Sequence, residues 1–542
     1  MNDKPQGTNE ARDRWAVILI ALLLAVAVRT WIAAHTYLVS TDSERFIWMA
    51  EHMKQGDFTT ALNEDFHPLY PAMFAGLSHL TGFGLETSGV IIAIALGSLT
   101  ALPLYFIARE LFGPLAGALA GLALAFHPYS AKQSADIMTE APYIFFFLCG
   151  VWALLWGMRR GDLVFVTACG MFAGLAYLVR PEGMGLLLPA FIYLIICRKT
   201  RLRTGGRAAG IVMAGLACVI VASPYIVYLN KNTKDFDIVL TKKKSLLQLI
   251  GMKKQKSEDA AQAAIAEPED ALEKVLYQQH RTANPKLQQA GAAAWEFVKT
   301  LGPLGLAALI GVVVLLARRN AAWGNAWLAW LAVFYALVVA FLAMNVYSGQ
   351  APSQRHVLPI VTICVVWAGF GMERFIAWAS AALNRRTSSA WMTAMPVIFL
   401  ALVFAGLWAT MLGPRRQEQL GLRCAAEIIV SQGVPSPKIM CAEEKVPYYA
   451  HGSLLSMPPF SNAQVTGEAL AQYARSKKVN FVVISEADAK NSFKFFDPDI
   501  GYDKERFELL TERADEACVK RMYGISLTLK DKQRYLIYRV KY

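Results

Sequence analysis

The chain has 542 residues, of which 55% are hydrophobic and 18% are charged, and its mean hydropathy is +0.35. Ordinary globular domains carry about 25% charged residues, so this composition excludes a disordered chain, a collagen, a coiled coil and a small disulfide scaffold. The net charge of +13 does not predict a nucleic-acid partner, because there is neither a basic, aromatic-lined groove nor zinc-finger spacing. Membrane proteins carry excess Lys and Arg in cytoplasmic loops. The composition therefore predicts a mainly α-helical polytopic membrane protein.

Eleven mostly apolar runs approach the roughly 20 residues that a helix needs to cross a bilayer. They predict about eleven transmembrane helices within a membrane domain over residues 1–412. The first run is too long for a removable signal peptide and lacks a small-residue cleavage site. In chain order the runs are 15–38, 88–108, 114–130, 141–158, 163–179, 184–197, 208–229, 301–317, 326–347, 357–372 and 391–412.

The charges of the short loops predict the orientation of these helices. Twelve Lys and Arg residues lie in one set of loops, against only Lys132, Arg180 and Arg355 in the alternate set. The richer set is expected in the cytoplasm, so the N-terminus is cytoplasmic and the odd number of helices places the C-terminus outside. We expect a multi-pass protein of the inner (plasma) membrane. Its extracytoplasmic (periplasmic) parts are the loops at about 35–87 and 230–300 and the tail, 413–542.

The tail is predicted to fold as a small extracytoplasmic α/β domain, because strand-like and helix-like runs alternate in it. The strand-like runs are 438–441, 479–485 and 534–540, and the helix-like runs are 419–431 and 468–476. Its three cysteines, Cys424, Cys441 and Cys518, permit at most one disulfide bond among them, and the sequence leaves the pairing open. No set of Cys and His residues has the spacing of a zinc site.

Polar side chains gather near the helix ends on the predicted outer side. Charged groups in such positions are costly and are functional hypotheses by default. Each residue alone also has an ordinary explanation, such as a turn for His67 or interfacial snorkelling for Arg180 and Arg355. Their common sidedness favours a site. The residues are Asp42, Glu44, Arg45, His67, Asp136, Glu140, Arg180, Glu182, Gln354, Arg355 and His356.

An active site on that side has no ATP or nucleotide sugar, so a transferase there needs a donor that arrives through the membrane. A polyprenyl-phosphate-linked sugar meets this need, because its tail lies among the lipids and its phosphate at the interface. The reaction requires a carboxylate that takes the acceptor's proton and cations that stabilise the departing phosphate. Arginine suits the second task because its planar fork binds phosphate oxygens bidentately.

Short motifs follow one another along these outer loops. They are Asp42-Ser-Glu-Arg-Phe, Gly56-Asp-Phe, His67-Pro-Leu-Tyr-Pro, Met138-Thr-Glu-Ala-Pro, Leu178-Val-Arg-Pro-Glu-Gly and Gln354-Arg-His-Val-Leu-Pro. With these motifs in this order, the chain resembles the GT-C superfamily of polyprenyl-phosphate-sugar-dependent glycosyltransferases. Within it, the motifs are similar to those of the branch that holds the bacterial lipid A aminoarabinose transferase and the protein O-mannosyltransferases.

The resemblance implies an inverting, single-displacement glycosyl transfer to an extracytoplasmic lipid, glycan or protein. Asp42 takes the place of the family's catalytic aspartate, and Glu140 would assist it. Arg180 and Arg355 would stabilise the departing polyprenyl phosphate, and Arg45 would orient Asp42 or the phosphate. The residues expected to support the site or contact the substrate are His67, Asp136, Gln354 and His356.

The chain departs from the family pattern at three of these places. Phe46 replaces the usual tyrosine, so a hydroxyl contact there is lost, and Glu140 stands where the family often has aspartate. His67 leaves open a phosphate contact, a proton relay or part of a metal site. A divalent metal held with Asp42 and Glu140 is therefore an open alternative, and no other cofactor is predicted. The sugar and the acceptor are also open.

Three other functions compete with glycosyl transfer. A transporter or lipid flippase would place its site near the bilayer midplane, often between inverted repeats, whereas no repeat is visible here. A ligase for lipid-linked glycan polymers would have a larger, Arg- and His-rich outer loop late in the chain. A structural scaffold would not need acids and arginines on one face.

Overall fold

The computed structural model describes residues 6–62, 66–197, 200–232, 239–241, 244–245, 286–317, 323–345, 353–384, 405, 413, 415–416, 419–457, 467–491, 493–499, 501–511 and 535–542. The chain divides into two compact units. The first consists of Met1–Ala33, Arg45–Gln255 and Thr282–Gly413, and the second of Ala34–Glu44, Lys256–Arg281 and Pro414–Tyr542.

The first unit is mostly helical. Its helices, some of which run a few residues into the second unit, are α1 (Gln6–Ala34), α2 (Thr41–Lys54), α3 (Phe58–Ala61), α4 (Leu69–Thr81), α5 (Leu85–Leu99), α6 (Ala101–Phe112), α7 (Pro114–Ala125), α8 (Pro128–Gln133), α9 (Glu140–Arg160), α10 (Leu163–Val179), α11 (Leu187–Ile196), α12 (Thr204–Asn232), α13 (Lys286–Leu301), α14 (Leu304–Ala317), α15 (Trp323–Asn345) and α16 (Gln354–Asn384). A 3-10 helix, Pro181–Leu186, lies between α10 and α11, and the short strands β1 (Val239–Thr241) and β2 (Lys244–Ser245) pair antiparallel.

Four helical segments among the described residues are long and apolar enough to cross a bilayer. They are Leu85–Phe112, Glu140–Arg160, Thr204–Leu229 and Gln354–Ala381. A fifth is formed by Ala290–Leu301 and Leu304–Ala317 together, although the pair bends by 96°. These helices are those of a multi-pass membrane protein, as the composition predicts.

Several predicted spans have different boundaries in the structure. The first helix ends at Ala34 rather than at residue 38. The run 114–130 ends as a helix at Ala125, because Pro128 disfavours a helical residue before it and His127 is extended there, with its ring accepting a hydrogen bond from Ser130 N. The run 184–197 is a 3-10 turn followed by α11. The run 391–412 lies outside the described residues apart from residue 405.

Helix α2 shows how the sequence pattern selects the buried face. Phe46, Met49, Ala50 and Met53 are buried, at the spacing that places residues on one side of a helix. Trp48 is 38% exposed on another side. The ring of Phe46 packs edge-on against that of Tyr70 in α4, with 5.9 Å between centroids. The part of the first loop that forms α2 is therefore an amphipathic helix with one buried face.

Close helix packing in this unit depends on glycine at two crossings. A Cβ added at Gly170 of α10 would lie 1.9 Å from the carbonyl oxygen of Ala214 in α12. One added at Gly371 of α16 would lie 1.8 Å from that of Ala307 in α14. Small residues let helix backbones approach in this way in membrane proteins. Any larger residue at either position would separate the two helices.

The second unit contains a five-stranded mixed sheet in the order β4-β3-β5-β7-β6. Its elements are α17 (Leu420–Ser431), β3 (Lys438–Cys441), α18 (Lys445–Tyr449), β4 (Ser453–Ser456), α19 (Gly467–Ser476), β5 (Phe481–Ser485), α20 (Glu486–Asn491), β6 (Phe507–Thr511) and β7 (Tyr535–Val540). Strand β3 is parallel to both of its neighbours, whereas β7 is antiparallel to β5 and β6.

Both faces of the central strands are buried, because alternate side chains of a strand point to opposite sides. Ile439 and Phe481 belong to one apolar core, with Leu422 of α17. Met440 and Val482 belong to a second core on the other side. The strand-like and helix-like runs predicted in the tail all correspond to elements of this unit, and β4 and β6 were not predicted.

Candidate active site

The centre of the candidate site is Arg180, which lies immediately after α10. Its backbone is extended, with φ −149° and ψ 140°, because the following Pro181 disfavours the helical conformation. The helix therefore ends there. The Arg180 guanidinium binds Glu140, with 2.8 Å between Nη1 and Oε1. It also binds Glu182, with 3.3 Å between Nη2 and Oε1. One arginine thus bridges two carboxylates.

Glu140 is the most buried member of this group, with a side chain that is 1% exposed. It opens α9, where the positive end of the helix dipole favours a negative charge. Its Oε1 is taken by Arg180, while among the described residues Oε2 finds no hydrogen-bond partner. A buried carboxylate oxygen in this state is available to accept a hydrogen bond or a proton from a ligand.

Arg355 and His356 join the same group from the first turn of α16. Together with Arg180, Glu182, Tyr143 and Tyr335 they line one small cavity. Its volume of about 20 Å³ is close to that of a single water molecule. A phosphate therefore enters only if these side chains move apart. The His356 ring is oriented by Ser353, whose backbone N–H lies 3.1 Å from Nδ1.

Two tyrosines that the sequence analysis did not select complete the surroundings. The Tyr335 hydroxyl donates to the Glu182 carbonyl oxygen at 3.2 Å. The Tyr143 ring lies 5.7 Å from Cζ of Arg180, within range of a cation–π interaction. Tyr143 follows Glu140 by three residues on α9, a spacing that places both on one face. That spacing could have indicated Tyr143 as a residue of the site. Tyr335 lies within an apolar run, where no sequence pattern distinguishes it.

Asp136 lies on the approach to α9 and is buried. Its Oδ1 accepts a hydrogen bond from Ile137 N at 3.0 Å. Nearby, in α4, the buried Tyr70 donates a hydrogen bond from its hydroxyl to Gly89 O at 3.0 Å.

His67 belongs to a different set of contacts. It is buried, and its ring packs edge-on against that of Tyr177, with 5.0 Å between centroids. The ring of Tyr225 in α12 lies 5.2 Å away. These aromatic contacts give His67 a packing function that its position before a proline did not reveal.

The remaining predicted residues lie at helix starts. Asp42 and Glu44 occupy the first turn of α2, in the part of the helix that groups with the second unit, and Asp42 is partly buried. Arg45 is exposed, and it is the first residue of α2 that belongs to the first unit. Gln354 is the first residue of α16. Among the described residues, no three His, Cys, Asp or Glu side chains are placed to hold a metal ion.

Comparison with known proteins identifies the fold. Residues 65–228 match the family of dolichyl-phosphate-mannose-protein mannosyltransferases. Two Bacillus subtilis candidate mannosyltransferases, YkcB and YycA, are 24% and 31% identical over 160 and 119 residues, or 26% and 21% of this chain. The aligned segments span only 22% and 17% of those relatives' lengths.

Two solved structures match much more of the chain. ArnT from Cupriavidus metallidurans, bound to undecaprenyl phosphate, is 12% identical with a TM-score of 0.58, over 96% of this chain and 97% of that one. The oligosaccharyltransferase AglB from Archaeoglobus fulgidus, bound to an inhibitory peptide and a dolichol-phosphate, is 14% identical with a TM-score of 0.59, over 90% and 71%. The chain therefore has the GT-C fold, which confirms the resemblance to the GT-C glycosyltransferases that its motifs predict.

Proposed function

We propose that this protein is an integral-membrane glycosyltransferase that transfers a sugar from a polyprenyl-phosphate donor to an extracytoplasmic acceptor. The observation that carries the proposal is the buried Glu140–Arg180 pair, with one unbonded carboxylate oxygen, in a chain of GT-C fold. Structural relatives that hold undecaprenyl phosphate and dolichol-phosphate support the donor class. Neither the sugar nor the choice among lipid, glycan and protein acceptors follows from this.

The proposed reaction is a single displacement with inversion. Asp42, assisted by Glu140, orients the acceptor and takes its proton as the acceptor attacks the anomeric carbon. The glycosidic C–O bond breaks through an oxocarbenium-like state, and polyprenyl phosphate leaves with both electrons of that bond. Arg180 and Arg355 stabilise the phosphate, and Arg45 orients Asp42 or the phosphate.

The contacts of Arg180 refine this scheme. Its guanidinium already neutralises parts of two carboxylates, so a donor phosphate must share it with Glu140 and Glu182. Arg355 lines the same cavity and supplies a second cation at that place. We infer that Arg180 both holds the Glu140 carboxylate in place and contacts the phosphate once the cavity opens. We keep the proposal that His67, Asp136, Gln354 and His356 support the site or contact the substrate.

We further propose eleven transmembrane helices, a cytoplasmic N-terminus and an extracytoplasmic C-terminal α/β domain in an inner (plasma) membrane. Ten of the eleven apolar runs coincide with helical segments of the first unit. Among the described residues, four of these segments, or five with the bent pair, are long and apolar enough to cross a bilayer by themselves. In the second unit Cys424 is disulfide-bonded, whereas Cys441 is a free thiol and Cys518 lies outside the described residues. Disulfides persist in oxidising compartments, which supports an outer location for that unit.

One experiment on reconstituted proteoliposomes distinguishes a glycosyltransferase from a flippase. They would contain undecaprenyl phosphate linked to a labelled sugar, with several hexoses and a pentose tested in parallel and a crude envelope extract as acceptor. We expect undecaprenyl phosphate to accumulate and label to enter the acceptor for at least one sugar. Intact donor that crosses the bilayer without release of undecaprenyl phosphate would contradict the proposal.

A further inference from the structure

A cavity of the second unit is lined by none of the residues assigned to glycosyl transfer. Its volume is about 410 Å³, within the range of about 300–1,000 Å³ that is typical of small-molecule sites. Cys441, Ala442 and Glu443, which end and follow β3, form one side. Ser485 and Glu486, which end and follow β5, form another. The cavity therefore sits at the carboxyl ends of two adjacent parallel strands.

The strand order makes this place a topological switch point. From β3 the chain turns through α18 to β4, its neighbour on one side. From β5 it turns through α20 towards β6 and β7, on the opposite side. Ligands of open α/β sheets bind in the crevice that forms where neighbouring connections diverge in this way. The cavity volume and the topology are independent observations, and both indicate a binding site.

The charge of the lining restricts the ligand. Among the described residues that line it, Glu443, Glu486 and Asp488 contribute three carboxylates, against one ammonium group, that of Lys490. Lys490 is itself paired, with 3.0 Å between Nζ and Glu486 Oε1 and 3.2 Å to Asp499 Oδ2. The cavity thus repels phosphates and acidic sugars. Ionised carboxylates are acceptors without a donor, so they suit a ligand rich in hydroxyl groups.

The rest of the lining is apolar and aromatic. Val446, Met457 and Phe493 contribute to it, and Tyr535 adds a ring with a hydroxyl group. Sites of this kind fix a ligand's orientation with few polar groups and bury its remaining surface against apolar ones. A sugar ring presents both surfaces, since its hydroxyl groups project around the edge and its C–H groups form an apolar face.

We propose that this cavity is a binding site for an uncharged saccharide, of about one to two sugar rings on the size scale of small-molecule pockets. The saccharide's hydroxyl groups donate to Glu443 and Asp488, and its C–H face packs against Phe493. The site binds and does not react. The inference concerns this cavity alone and does not depend on the proposed glycosyl transfer.

The test measures binding to the full-length protein in nanodiscs by saturation-transfer NMR. The probes are four neutral disaccharides (maltose, lactose, mannobiose and chitobiose), glucose 6-phosphate and trilysine. We expect saturable binding of at least one neutral disaccharide and none of the sugar phosphate. Ala442→Trp, which fills the cavity from its exposed edge, should abolish that binding. Glu443→Gln should weaken it about tenfold, the usual loss for a hydrogen bond to a charged group.

Glu427→Gln is the matched control, because Glu427 is an exposed carboxylate of α17 that does not line the cavity. It should bind the disaccharide as the unchanged protein does. If Ala442→Trp lowers the melting temperature, Glu443→Gln decides alone. Three results would each overturn the proposal. None of the neutral disaccharides binds, or both variants bind the disaccharide as well as the unchanged protein does, or the protein binds trilysine and none of the disaccharides.

Discussion

Each unit contains an arginine between two carboxylates, and the two groups differ mainly in burial. In the first unit Arg180 bridges Glu140 and Glu182, with side-chain exposures of 15%, 1% and 24%. In the second unit Arg506 bridges Asp503, at 2.8 Å, and Glu468, at 3.7 Å. There the side-chain exposures are 31% for Arg506, 17% for Asp503 and 61% for Glu468. Similar contacts therefore occur in a less buried group.

This difference predicts different consequences of breaking the contacts. Water solvates an exposed pair almost as well as its partner does, so such a pair contributes little. Removing one member of a buried pair instead leaves an uncompensated charge, at a cost of about 3–5 kcal/mol. Burying the Glu140–Arg180 pair costs free energy, and among the described residues Glu140 Oε2 has no hydrogen-bond partner. A function of this pair would explain why it is buried. The exposed group needs no function to explain it.

The largest effect is expected at the buried arginine. Arg180→Ala should lower the rate of donor turnover by about 100- to 1,000-fold, the usual loss when one charge-stabilising donor is removed. It should also lower the stability of the first unit, because Glu140 loses its partner. Initial rates over a range of donor and acceptor concentrations, with melting curves in detergent, measure both.

Arg180→Lys is the informative companion variant. It keeps the charge but loses the planar fork that binds two partners, so stability should recover more than activity does. If Arg180→Ala lowers the rates at limiting donor and at limiting acceptor by the same factor, Arg180 has a structural role only. Full activity in that variant would remove it from the proposed site.

The next largest effect concerns the covalent link of the second unit. Cys424→Ser should destabilise that unit by about 2–5 kcal/mol, the usual cost of losing a native disulfide. Its melting transition should then approach that of the unchanged protein under reducing conditions. A Cys424 thiol that labels with maleimide in unreduced, denatured protein would show that the bond does not form in the membrane-inserted chain.

A smaller effect distinguishes the free thiol of the same unit. Burial raises the pKa of Cys441 to about 12, so the reactive thiolate is scarce at pH 8, where an ordinary thiol with a pKa of about 8.5 reacts readily. Alkylation at pH 8, followed by mass spectrometry of the Cys441 peptide, should be slow in folded protein and fast after denaturation. Equal rates in the two states would mean that the interior of the second unit is open to reagents.

The smallest effect is expected at Arg506, which is 31% exposed. Arg506→Gln should leave donor turnover unchanged and lower the melting temperature much less than Arg180→Ala does, because water reaches Arg506 and Glu468 and can replace part of the lost contacts. It is the control for Arg180→Ala, since both variants remove an arginine from between two carboxylates. A loss of activity comparable to that of Arg180→Ala would remove the contrast between the two groups.

Local patterns predicted much of the second unit and little of the contact geometry. Strand β3 was predicted at its observed bounds, Lys438–Cys441. Strand β4 was missed because Ser453–Ser456 is short and mostly exposed, without alternation. The 96° bend between α13 and α14 follows from Gly302, whose φ is +53°, and from Pro303. A breaker in the sequence marks such a bend but does not give its angle.

The candidate site shows the same limit. Sequence motifs selected Glu140 and Arg180 separately, because each is a charged residue near a helix end on the predicted outer side. Their ion pair joins residues 40 positions apart, and only the packing of α9 against α10 brings them together. The hydrogen bond from Tyr335 to the Glu182 carbonyl oxygen likewise joins residues far apart in the chain, whereas the Arg180–Glu182 contact is local, between residues two positions apart. Contacts between helices are set by the shapes of whole faces, which short motifs do not encode.

The most direct test of the proposed glycosyl transfer is the release of undecaprenyl phosphate from a labelled undecaprenyl-phosphate sugar by purified protein in nanodiscs. Asp42→Asn is compared with Glu51→Gln, which removes an exposed carboxylate from the same helix. We expect Asp42→Asn to abolish release and Glu51→Gln to preserve it, with equal melting temperatures. Undiminished release by folded Asp42→Asn protein would contradict the role assigned to Asp42, and with it the mechanism.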